Sequence, residues 1–206
     1  MESWAKSDSS FRYQGPATSQ WPTFRVPEDP VIGPNDLKLG LNLITAGRPS
    51  HRKFLRMIWV WADVRICRGA WQELDTYKIG PTRNSCSTMF KLGTRDLDKS
   101  DFESGDVDTY TLVRLNALGE SYRAAKGAEK TKLLIKLKRR LPEGFLQMAT
   151  YNFNYESALA VYADRRDHRM PEWSSDDGLC PFIRSLPYMG IFIDALEAKH
   201  NKGVTP

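Results

Sequence analysis

Apolar and polar residues first fall into a regular pattern at Leu37. Leu37, Leu39, Leu41 and Leu43 alternate with Lys38, Gly40, Asn42 and Ile44, a period of two that predicts a half-buried strand. Ala46-Gly47 turns the chain, and Arg48-Pro49-Ser50 supplies a break and an N-cap for a helix from about His51 to Cys67. Phe54, Met57, Ile58, Trp61 and Val64 follow helical spacing along it, and Gly69 ends it. Residues 71–106 read as turn-rich, with Gly80-Pro81, Asn84-Ser85, Gly93 and Gly105 separating short apolar pieces. Tyr110 to Leu118 reads as a strand closed by Gly119. Between Arg123 and Arg140 the pattern suits either state. Ile135 and Leu137 alternate with Lys136 and Lys138, while Leu133, Leu134 and Leu137 would share one helical face. Tyr151, Phe153 and Tyr155 alternate with Asn152 and Asn154, and the apolar pattern runs on to Tyr162, which predicts a β-hairpin. An acidic loop, Pro171 to Gly178, leads into an apolar stretch, Pro181 to Leu196, read as a short helix and a last strand, Ile191-Phe192-Ile193. This order of elements predicts an α+β fold. Its antiparallel sheet packs against one long helix, about 51–67, and a shorter C-terminal helix.

Residues 1–36 differ in kind. They hold five of the 12 prolines, which discourages helix and sheet alike, and they predict an extended arm ahead of a single globular α+β domain, residues 37–206. Trp4, Phe11, Tyr13, Trp21 and Phe24 are unusual for an inert tail. They are the candidates for self-association through a groove on a neighbour, or for packing on the chain's own core.

Charge sharpens the picture. The net charge is +5 and the isoelectric point about 9.1, yet the arm is net negative, so the folded part carries the basic excess. Eight basic residues crowd one segment: Arg123, Lys126, Lys130, Lys132, Lys136, Lys138, Arg139 and Arg140. Such a strip attracts phosphate backbones or anionic lipid headgroups. No run approaches the roughly 18 apolar residues of a membrane span, and the start lacks the basic and apolar regions of a secretory signal. Any membrane contact is therefore expected to be peripheral. Cys67, Cys86 and Cys180 form no C-x-x-C pair and read as buried, reduced thiols of a cytoplasmic protein.

Catalytic signatures are sparse. His51, His168 and His200 are scattered, and there is no phosphate loop, dinucleotide turn or nucleophile elbow. The best enzymatic candidate is a loose metal-nuclease pattern, Asp177 followed by Glu197-Ala198-Lys199. The acidic pairs Asp96/Asp98 and Asp106/Asp108 read as turns. Trp59 and Trp61 would lie on different faces of the predicted helix, with Trp61 inward and Trp59 exposed for stacking. On this reading the chain is not an enzyme and has no catalytic residue, metal ligand or cofactor.

The ordered series of features resembles the matrix proteins of rhabdoviruses, the vesiculovirus type in particular, over about residues 37–197. The points of likeness are Arg48-Pro49, Trp61-Ala62-Asp63, Gly69, Leu92-Gly93, Leu97, Pro142, Phe145, Tyr162, Asp164, Pro171, Trp173, Phe182 and Met189-Gly190-Ile191. The resemblance implies a viral structural protein that self-associates and links the nucleocapsid to the inner face of the envelope during assembly and budding. Its partners would be further copies of itself, the viral ribonucleoprotein and an anionic membrane surface. Its location would be the virion, the host cytoplasm and the inner face of the host membrane. An RNA-binding capsid or nucleocapsid-type protein, and a metal-dependent nuclease, are the alternatives. The chain departs from that family in its net-negative arm and in lacking a Pro-Pro-x-Tyr or Pro-Ser/Thr-Ala-Pro budding motif. The strip 123–140 would then take over the membrane or nucleocapsid contact.

Overall fold

The computed structural model describes residues 7–13, 27–78, 80–85 and 91–203. Contacts divide the chain into two units, one made of residues up to Lys53 with those from Pro187 onward, the other of Phe54–Leu186. The architecture is α+β with an antiparallel sheet, as the sequence predicts, although several elements change type.

In the first unit, β1 (Ser10–Tyr13) pairs antiparallel with β2 (Pro27–Val31). The strand expected from Leu37 is instead helix α1, Pro34–Thr45. Three things favour the helix. Pro34 opens it with its φ already helical. Leu37, Leu41 and Ile44 share a face, with Ile44 buried and Leu39 exposed. The Asp8 carboxylate accepts from the Asn35 and Asp36 N–H groups at 2.8 and 3.0 Å, satisfying two orphan donors of the first turn. The C-terminal stretch is also helical. Helix α8, Met189–Gly203, contains Ile191-Phe192-Ile193, and its buried Met189, Phe192 and Ile193 follow the i, i+3, i+4 rule. It packs on α1, and the Lys199 ammonium donates to the Thr45 carbonyl.

The second unit begins where a long helix was predicted. A 3-10 helix, Pro49–Met57, comes first, and strand β3, Trp59–Cys67, follows. Its true period is two. Val64 and Ile66 are buried while Trp59, Trp61, Asp63 and Arg65 are exposed, so both tryptophans share the open face and Trp61, at 68 %, is the more exposed. Helix α2 (Arg68–Leu74) and strand β4 (Thr82–Ser85) come next. β5, Leu146–Asn154, is the central strand of the order β3–β5–β4. Trp59 stands opposite Asn154 and Cys67 opposite Leu146, which sets Val64 beside Ala149 on one face.

The predicted hairpin fails at Asn154. Its side chain accepts from the Ser157 N–H at 2.9 Å, capping helix α5, Tyr155–Arg165. Short helices α6 (Pro171–Ser174) and α7 (Leu179–Ser185) complete the layer. The covered sheet face meets Trp71 and Leu74 of α2, Ala158 and Val161 of α5, and Ile183 of α7, all buried.

A helical hairpin, α3 (Thr109–Ala124) and α4 (Gly127–Arg139), replaces the strand predicted at 110–118 and settles the state of the basic segment. Asp108 caps α3 by accepting from the Thr111 N–H. Leu115 of α3 meets Leu134 and Leu137 of α4 in a core with Leu92, Phe102 and Leu141. At Gly93 (φ +81°) a Cβ would come within 2.8 Å of the Tyr122 ring, so only glycine lets the loop pass so close to α3.

Candidate functional site

Two concave surfaces in the second unit carry chemistry. The first is a cleft of about 550 Å³ along the outer edge of β3, residues 62–66, closed by Glu103-Ser104 and by the segment from Pro171 to Phe182. Four carboxylates line it, Asp63, Glu103, Glu172 and Asp177, against one guanidinium, Arg65. Arg65 is engaged, donating to the Ser100 carbonyl at 2.7 Å. Behind this cleft Cys67, the last residue of β3, donates from Sγ to Glu172 Oε1 at 3.0 Å. Burial pushes the Cys67 thiol up to about 11, so it stays protonated at neutral pH and is a poor nucleophile by itself. The other Glu172 oxygen, Oε2, is buried without a hydrogen-bond partner among the described residues.

The second surface is a groove of about 250 Å³ between the hairpin helices, lined by Arg114, Ala117, Leu118 and Ser121 of α3, by Lys136 of α4 and by Arg140, the residue that caps its C-terminus. Among the described residues it holds three cations and no carboxylate. Arg114 lies 5.2 Å over the exposed Tyr110 ring, which orients the guanidinium.

The basic strip foreseen in the sequence is thus a helix, and its residues divide by role. Lys132, Lys136 and Arg139 lie opposite the buried Leu134 and Leu137. Lys136 and Arg140 reach the groove, and Lys138 is exposed. Lys132 sits 3.7 Å from Glu129 one turn away, Lys130 lies 4.9 Å over the Tyr122 ring, and Lys126 is the exposed N-cap of α4. Arg123 serves structure, paired with Asp96 at 2.7 Å and donating to the Gly93 carbonyl. Of the aromatic candidates, Trp4, Trp21 and Phe24 lie outside the described residues, and Phe11 and Tyr13 belong to β1. Asp98 caps a 3-10 turn, Asp177 lines the acidic cleft, and Lys199 is engaged with Thr45. Sequence reasoning missed Arg114, which joins the strip only through the hairpin, and the Cys67–Glu172 contact, which spans 105 residues.

No family model matches the sequence, and no curated protein matches it. Solved structures do. The fold is similar to that of flavin-dependent thymidylate synthase. The ThyX enzyme from Helicobacter pylori, complexed with FAD and dUMP, aligns at a TM-score of 0.56 and 18% identity over 80% of this chain and 84% of that chain. A second structure of ThyX from Helicobacter pylori with FAD and dUMP gives 0.54 and 17%, over 78% and 83%.

This finding corrects the resemblance to rhabdovirus matrix proteins. The series on which that resemblance rested assumed a strand at 37–44, a helix at 51–67 and a strand at 191–193, whereas 37–44 and 191–193 are helical and the expected helix is a 3-10 helix to Met57 followed by a strand from Trp59. The expectations tied to it are withdrawn: a non-enzymatic matrix protein that self-associates and drives budding, with nucleocapsid and anionic membrane as partners. The RNA-binding capsid and nuclease alternatives go with them. The matching structures are of a thymidylate synthase holding FAD and dUMP.

Proposed function

We propose that the protein is a flavin-dependent enzyme of the thymidylate synthase type, taking FAD and a uridylate-class nucleotide. The observation that carries this reading is the shared fold over about four-fifths of both chains, with structures of an enzyme bound to FAD and dUMP. A phosphate dianion does not fit the cleft along β3, where four carboxylates face one engaged guanidinium. It fits the hairpin groove, whose Arg114, Lys136 and Arg140 are uncompensated by any carboxylate among the described lining residues. These three side chains would hold a nucleotide or dinucleotide phosphate, and Tyr110 beside Arg114 offers an exposed ring for a base or flavin to stack on. Bound FAD would supply the redox chemistry. The chain's own contribution is to neutralise and orient the anionic ligands.

Thymidylate differs from dUMP by a methyl group at C5, so turnover must release the C5 hydrogen. The direct test incubates the full chain and FAD with dUMP tritiated at C5, a reductant and a one-carbon donor. Tritium release to water that depends on protein and FAD is the expected result. No release by protein that binds both ligands would overturn the assignment of the reaction.

A further inference from the structure

The acidic cleft is unused by the flavin reading, and two of its lining carboxylates, Glu103 and Glu172, meet Cys67 just behind it. Cys67 Sγ and one carboxylate oxygen each from Glu103 and Glu172 lie within 4.8 Å of one another. Cys67 and Glu172 are buried and Glu103 is half-buried. Three separate elements deliver them: the end of β3, the 3-10 turn of Glu103–Gly105 and the first turn of α6. Glu103 is fixed by its own N–H, which donates to the Gly144 carbonyl at 2.8 Å.

A second observation points to a ligand. Glu172 is only 8 % exposed. One of its oxygens takes the Cys67 thiol, while Oε2 is buried with no hydrogen-bond partner among the described residues. A buried carboxylate oxygen left unpaired is unfavourable, and a folded chain tolerates few such atoms unless something else satisfies them. The surroundings argue for a cation, because Asp63, Glu103, Glu172 and Asp177 all line this cleft and Arg65 is spent on Ser100.

We propose that Cys67, Glu103 and Glu172 form a binding site for a zinc-class divalent cation, with a further coordination position facing the cleft. The ligand set decides the class of metal. A sulfur ligand selects against calcium and magnesium, which take oxygen, and two carboxylates with one thiolate suit zinc or its cobalt(II) surrogate. Tetrahedral zinc with bonds of about 2.3 Å to sulfur and about 2.1 Å to oxygen needs ligand atoms roughly 3.5 Å apart. The three ligand atoms, all within 4.8 Å of one another, reach that by a small adjustment of their side chains. On binding, the cation takes the place of the thiol proton, which leaves to solvent, and it engages the Glu172 carboxylate, whose Oε2 otherwise has no hydrogen-bond partner among the described residues. Three protein ligands leave room for water or a small anion on the cleft side, the arrangement of zinc sites that keep an open position.

The proposal is independent of the flavin reading, since the metal cleft and the hairpin groove share no lining residue. The test uses the full chain, stripped with a chelator and titrated with cobalt(II) chloride and then zinc chloride. Binding of one cobalt per chain is expected, with a near-ultraviolet thiolate-to-cobalt charge-transfer band that zinc abolishes. The band should persist in Cys180→Ser and vanish in Cys67→Ser, with circular dichroism confirming the fold. Should Cys67→Ser fail to fold, Glu103→Gln keeps the test, because this half-exposed residue can be changed with little strain. It should weaken binding at least about tenfold. The proposal is overturned by the lack of a thiolate band, by a band that survives in Cys67→Ser, or by unchanged affinity in Glu103→Gln. FAD binding measured on the same metal-free protein separates this failure from a failure of the flavin reading.

Discussion

Cys180 links burial to the pH range over which the fold holds. Burial pushes its thiol up to about 11, above the ordinary thiol range near 9. The folded chain therefore keeps a proton that the unfolded chain releases once the pH passes about 9. The stability it contributes is fully present below that pH and is lost as pH rises toward 11. Tyr155, raised by burial to about 12, acts in the same sense at higher pH. One buried thiol displaced this far is worth on the order of 2 kcal/mol. Urea midpoints should be level from about pH 7 to 9 and fall between about 9 and 11, with a shallower fall in Cys180→Ala. An equally steep fall in the variant would remove Cys180 as a source.

The tryptophans give a second test at this scale. Trp71 is buried, its indole N–H donating to the Gln147 carbonyl at 3.0 Å, whereas Trp61 stands on the open sheet face. Trp71→Ala should cost about 3–5 kcal/mol, and Trp61→Ala should stay within about 0.5 kcal/mol. Equal losses in chemical denaturation would mean that β3 presents its other face to the core.

Among the elements, the junction of β5 and α5 rests on one side chain. Asn154 ends the strand and caps the helix, and it is buried. Asn154→Ala should lower stability by about 1–2 kcal/mol, while Asn154→Ser should retain most of it, because a hydroxyl can also accept from the Ser157 N–H. Thermal melts that rank the two variants equally would speak against the cap.

That junction also shows why the class of fold was legible while element types were not. Tyr151 and Phe153 do alternate inward on β5, so the period of two holds up to the residue where a cap ends the strand. Leucine at positions 37, 39, 41 and 43 satisfies a strand and a helix together. The deciding contacts come from Asp8, 27 and 28 residues away from the two N–H groups it caps. Across the 3-10 helix and β3, Phe54, Met57, Ile58, Trp61 and Val64 imitate one helical stripe, whereas within β3 the inward residues Val64 and Ile66 obey a period of two. Local pattern was ambiguous, and tertiary contact resolved it.

At the scale of the whole molecule, charge was more legible than site. The excess of cations between Arg123 and Arg140 was plain, but the groove needs Arg114 from the facing helix, and Arg123 is spent on Asp96. The metal trio was invisible for a similar reason, since Cys67, Glu103 and Glu172 come together only through the fold of β3 against α6 and the 103–105 turn. The likeness to matrix proteins was drawn from element order, and it dissolved once several elements proved to be of the other type.

Flavin binding is the central claim, and a fluorescence titration of FAD with the full-length chain tests it most directly, with Arg114→Ser/Lys136→Ser/Arg140→Ser measured in parallel. The flavin emission should be quenched saturably by the wild-type protein, and the triple variant should bind at least about tenfold more weakly, since charge-assisted contacts to phosphate are worth about 1.5–3 kcal/mol each before solvent screening. A folded wild-type chain that leaves FAD emission unchanged at every concentration would contradict the account.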